Sequence, residues 1–64
     1  MKRKQTLAKL RRHFDLAQFD VAEEMGVSQS RYSQYESGRR HSDEFEAGAR
    51  DAIRRLIEKK EAEG

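Results

Sequence analysis

Four uncharged hydrogen-bonding side chains, Gln29, Ser30, Ser33 and Gln34, fall at the spacing of one outer helical face. A glutamine can bond adenine N6 and N7 in bidentate fashion, and a serine can donate to or accept from any base edge. The row could therefore recognise bases without carrying charge. Arg31, Arg39 and Arg40 flank it and suit a phosphate backbone, with the Lys2-Arg3-Lys4 arm as a further candidate. The plainer alternative is a solvated helix face on which Ser33 bonds back to its own backbone. Catalysis has much less to work with. The two histidines, His13 and His41, lie outside any nucleophile or metal-ligand spacing, and there is no glycine-rich phosphate loop. The expectation is a protein that is not an enzyme and that carries no metal or cofactor.

The elements that must position these groups read as helices throughout. Proline is absent, and Ala, Leu, Glu, Lys, Arg and Gln dominate. Leu7, Leu10 and Phe14 recur at three and four, predicting a helix from about Lys4 to His13, with Asp15 as a stop able to adopt the left-handed conformation. A second helix is expected from Gln18 to Met25, presenting Val21, Ala22 and Met25 inward and ended by Gly26. Ser28 then caps a third, from Gln29 to about Ser37, closed by Gly38. Phe45, Ala49, Ala52, Ile53, Leu56 and Ile57 form an apolar stripe on a longer helix from about Asp43 to Lys60, which starts near Ser42 or Asp43, where Asp43 and Glu46 have capping-box spacing. Residues 61–64 are expected to fray and residues 1–3 to form a basic arm. The expected fold is all-α, a single domain of about four helices over residues 1–64.

Composition bounds the class. The 64 residues contain no cysteine, so neither disulfides nor a thiolate metal site can staple so small a core. No apolar run could span a membrane and no signal-peptide core is visible, which points to the cytoplasm. Net charge is only +2, but it is segregated. Residues 1–14 carry six basic groups and no acid, whereas residues 15–36 hold five acids against Arg31 alone. Such segregation suits a polyanionic partner.

Gln18 to Arg39, QFDVAEEMGVSQSRYSQYESGR, places two short helices around a tight turn at Gly26-Val27. Gln18, Ala22, Gly26, Val27, Ser28, Glu36, Gly38 and Arg39 stand in register with the lambda-repressor-like, Cro/C1 or Xre-type helix-turn-helix family, and the stretch resembles it over about residues 7–40. Ala22, Gly26 and Val27 serve the fold: a close helix crossing, a positive φ, and a plug between helices. The resemblance implies that Gln18 reaches a phosphate from the start of the second helix and that Arg11 pairs with Glu36 as a structural ion pair. The alternative for that pair is two solvated side chains.

Several positions depart from the family. Tyr32 and Tyr35 stand where aliphatic residues are commoner; they either repack the core or lean their hydroxyls toward solvent or a phosphate. Ala17 replaces the usual capping residue of the second helix, a loss that Asp20 can recover in part through the helix dipole. Phe19 falls where a charge is usual and is expected to be exposed. One long C-terminal helix stands where the family commonly has two short ones. Its stripe either packs wholly inward or lets Ile53, Ile57 and their neighbours meet a second copy.

The resulting expectation is a sequence-specific regulator that binds double-stranded operator DNA as a weak homodimer on a palindrome, most simply an autoregulating repressor of phage or mobile-element type. Half-sites would lie about 34 Å apart. The alternatives are a protein-binding adaptor such as an antitoxin-like module, and a non-specific DNA-coating protein. The first lacks exposed aliphatic anchors on the third helix, and the second would need more positive charge.

Overall fold

The computed structural model describes residues 6–63. Four helices follow one another: α1 Leu7–His13, α2 Gln18–Met25, α3 Gln29–Glu36 and α4 Asp43–Glu63. No strand occurs among the described residues.

The first helix is shorter than its periodicity suggested. Thr6 is extended (φ −71°, ψ 159°), and its hydroxyl accepts from the Lys9 N–H at 3.2 Å, so the helix begins at Leu7 and not near Lys4. The Thr6 hydroxyl satisfies an orphan donor of the first turn, and Lys4 itself lies outside the described residues. At the other end, α1, α2 and α3 terminate by one device. A left-handed residue, Asp15 (φ 60°), Gly26 (φ 78°) or Gly38 (φ 89°), turns the chain. The next residue's N–H then reaches back five positions: Leu16 to the Arg11 carbonyl at 3.0 Å, Val27 to Ala22 at 3.0 Å, and Arg39 to Gln34 at 2.9 Å. This Schellman arrangement satisfies carbonyls that a helix end would otherwise orphan. It also makes the turns short and stiff, so α3 is held at a fixed angle to α2.

Ala17 offers no side-chain cap to α2, but the Asp20 carboxylate accepts from the Ala17 N–H at 3.0 Å, the reciprocal half of a capping box. Ser28 caps α3 through the Arg31 N–H at 3.1 Å. At α4 the cap is Ser42, whose hydroxyl accepts from the Phe45 N–H at 3.2 Å; the expected box of Asp43 and Glu46 is not formed. A hydroxyl one residue earlier reaches the orphan N–H directly and leaves Asp43 exposed within the first turn. The helix then runs to Glu63, past the expected end at Lys60.

The core comprises Leu7, Leu16, Val21, Ala22, Tyr32, Ala49, Ala52 and Ile53, with Leu10, Phe14, Met25, Val27, Phe45, Leu56 and Ile57 packed around it. Helices α2 and α4 pack against one another, and the small residues Ala22 of α2 and Ala49 and Ala52 of α4 are all buried. Two open alternatives are narrowed here. Tyr32 is wholly buried, and Tyr35 stacks on Phe45 with centroids 3.7 Å apart, so both rings belong to the packing. Ile53 is only 1% exposed and is unavailable to a second copy, whereas Leu56 and Ile57 keep part of their surface. Phe19 is exposed, as expected. Among the described residues no helix is long and apolar enough to cross a membrane.

Across the seam between α2 and α4, the Glu24 carboxylate takes Arg55 Nε and Lys59 Nζ, both at 2.9 Å. These two hydrogen bonds hold the Glu24 carboxyl below the ordinary glutamate value. Arg55 and Lys59 are exposed even though the Glu24 side chain is only 17% so, and the clamp orients α4 more than it stabilises it.

Candidate nucleic-acid interface

The turn at Gly26-Val27 swings α3 out beside α2, and α3 buries one narrow edge. Tyr32 enters the core, Tyr35 lies along Phe45, and Glu36 turns inward toward α1. The opposite side carries Gln29 and Ser30, both exposed, with Ser33 and Gln34 partly so. The four candidate base-reading residues thus share one outward strip on a helix that the core holds from behind. None of their side chains is engaged in a hydrogen bond with another described residue, so their donors and acceptors are available.

Charge around the strip is distributed unevenly. Arg31, Arg39 and Arg40 are exposed, and none is paired with a carboxylate among the described residues. On α4, by contrast, Arg50 pairs with Glu46, Arg54 with Asp51, Arg55 with Asp51 and Glu24, and Lys59 with Glu24. The α4 cations are largely cancelled while those beside α3 are not. Lys9 and Arg12 on α1 are also exposed and unpaired. Tyr35 lies between Arg31 and Arg40, sharing a surface hollow with each. The Lys2-Arg3-Lys4 arm lies outside the described residues.

Behind the strip, Arg11 and Glu36 form a bidentate pair, Nε to Oε2 and Nη2 to Oε1, each at 3.0 Å. Their side chains are 10% and 5% exposed. A third Arg11 nitrogen, Nη1, donates to the Leu16 carbonyl at 2.8 Å, tying in the loop between α1 and α2. Arg fits this role because its planar fork satisfies both carboxylate oxygens and still has a donor left over. Burial disfavours the Glu36 carboxylate, but hydrogen bonds from Arg11 and Gln18 outweigh it and hold the group below the ordinary glutamate value. Arg11 is correspondingly raised, chiefly by its hydrogen bond to Glu36. Tyr32 lies against the pair, and burial followed by the neighbouring Glu36 pushes its phenol upward. Its hydroxyl is buried without a well-formed hydrogen bond.

Gln18, at the first position of α2, is part of the same network: its Nε2 donates to Glu36 Oε1 at 2.9 Å. Sequence reasoning missed this bond, because 18 positions separate the partners and nothing local marks it. The Glu24 clamp was missed for the same reason, whereas the Arg11 bond to the Leu16 carbonyl spans five positions and arises from the turn at Asp15. His13 packs edge-on against Phe14, and His41 lies 3.9 Å from Asp43 with both exposed. No group of His, Cys, Asp or Glu among the described residues could hold a metal ion.

No curated protein and no solved structure matches the chain. A family model described as helix-turn-helix, however, matches residues 7–47, which spans α1, the α2–turn–α3 unit and the start of α4. That is 41 of the 64 residues. The matched span and the geometry agree on where the two helices and their turn lie, and on that basis the chain belongs to the Cro/C1-type helix-turn-helix family of DNA-binding regulators.

Proposed function

We propose that this protein binds double-stranded operator DNA in a sequence-specific way and regulates transcription by occupying it, as an autoregulating repressor in the cytoplasm of a bacterial or phage-infected cell. Gln29, Ser30, Ser33 and Gln34 read base edges in the major groove. Gln18, Arg31, Arg39 and Arg40 hold the phosphates on either side, and Arg11 and Glu36 keep the two helices at the required angle. A second copy on the other half of a palindrome would double the readout, with the exposed parts of Leu56 and Ile57 as the available apolar surface.

The observation that carries this reading is the contrast in charge: four of the five cations on α4, all but Lys60, are paired, while those flanking the uncharged strip of α3 are not. Side chains kept free of carboxylates lose no partner on meeting phosphates, and each phosphate contact releases counterions. The test is the slope of log affinity against log salt on duplex DNA. Arg39→Ala is expected to lower the slope by about 1, and Arg54→Ala, whose partner Asp51 keeps Arg55, to leave it unchanged. Equal effects of the two substitutions would contradict the assignment.

A further inference from the structure

We infer that Glu36 is a positioning residue for DNA binding, acting through Gln18: the carboxylate behind the recognition strip sets the orientation of the amide that meets the phosphate at the start of α2. The inference rests on the operator-binding reading above and deepens it.

The geometry requires one orientation of the amide. An ionised carboxylate only accepts hydrogen bonds, so at 2.9 Å from Glu36 Oε1 the Gln18 side chain must present its nitrogen. One N–H is thereby fixed, and the amide plane with it. The second N–H and Oε1 have no protein partner among the described residues. A free glutamine would lose rotamer entropy on grasping a phosphate. Here much of that ordering is already present in the folded protein. Arg11 completes the device. An uncompensated carboxylate beside a phosphate contact would repel DNA, and the bidentate Arg11 neutralises Glu36 while leaving Oε1 able to accept from Gln18 as well. The network spans α1, the loop at Leu16, the first residue of α2 and the last residue of α3. It therefore ties the phosphate contact to the helix that reads bases.

The test sets positioning against simple electrostatics, because the two predict opposite signs. Glu36→Gln removes a negative charge near the DNA, which on charge alone would tighten binding. An amide offers only one oxygen to the donors of Arg11 and Gln18 and turns an NH2 against one of them, so positioning predicts weaker binding. Glu36→Asp is the second variant: it keeps the charge but is one methylene short of Gln18. Affinities for the duplex enriched by the wild-type protein are measured for each variant alone and in a Gln18→Ala background, at a temperature where circular dichroism shows every protein fully helical. The expected result is a loss of about tenfold for Gln18→Ala and for each Glu36 variant, with less than about threefold further loss on combining them. Unchanged or tighter binding by both folded Glu36 variants would overturn the inference, as would losses that multiply in the double variants. If the wild-type protein itself enriches no duplex, the operator reading fails and this inference fails with it.

Discussion

Replacing Arg11 with methionine keeps an unbranched stem of similar length but removes the guanidinium. Three hydrogen bonds vanish, two to Glu36 and one to the Leu16 carbonyl. A carboxylate only 5% exposed is left with Gln18 as its sole donor among the described residues. Breaking a buried pair from one side costs about 3–5 kcal/mol, because the surviving charge remains desolvated. A chain of this length has a total stability of about 3–10 kcal/mol, so Arg11→Met is expected to remove a large share of it. Linkage then predicts a pH signature. In the wild type the folded-state pKa of Glu36 is depressed, so its contribution is present above the ordinary glutamate value and is lost as pH falls through the folded value. In the variant, burial without Arg11 raises that pKa. The folded state then takes up a proton more readily than the unfolded chain, and acidification relieves the defect. Urea unfolding followed by helical circular dichroism at about pH 7 and about pH 4 measures both effects, with the wild type compared at each pH to cancel the other carboxylates. A deficit below about 1 kcal/mol at neutral pH, or one that does not narrow in acid, would refute the reasoning.

Two further substitutions probe the packing. Tyr32→Phe removes a buried hydroxyl that has no well-formed partner and leaves the ring in place, so it is expected to raise the urea midpoint by an amount equivalent to about 1 kcal/mol; a lowered midpoint would mean that the hydroxyl is satisfied. Gly48 lies inside α4 with an ordinary backbone, and a Cβ there would sit 3.5 Å from Met25 Cε, a normal contact. Gly48→Ala should therefore stabilise by about 0.5–1 kcal/mol and raise Tm by roughly 2–8 °C, as read by thermal unfolding.

Legibility in the sequence followed the range of the interactions. Asp15, Gly26 and Gly38 mark helix ends because the left-handed conformation is a local property of those residue types, and all three have positive φ. Helix α2 carries its whole pattern within eight residues and runs from Gln18 to Met25, as its spacing indicates. Cap choice was harder wherever two candidates adjoined. Of Ser42 and Asp43, both open as the start of α4, Ser42 is the cap, and Thr6 caps α1 where the expected start was near Lys4. Leu16 belongs to the core from a loop, where no periodicity could announce it. The Arg11–Glu36 pair was accessible only through family resemblance, since 25 positions separate its members. Gln18 to Glu36 and Glu24 to Arg55 join different helices, and such contacts exist only once the crossing angles are fixed. The outward strip of α3 was legible because it stays on one helix.

Whether the outward strip of α3 reads sequence is decided by a binding selection from random duplex DNA at about physiological salt, run with the wild type, Gln29→Ala and Gln34→Ala. The expected result is an enriched palindrome whose information content falls at one or two particular base pairs in each variant while the rest of the motif persists, a loss of about 1–3 kcal/mol of discrimination at those positions. Enrichment of no motif, or motifs identical across the three proteins, would contradict it.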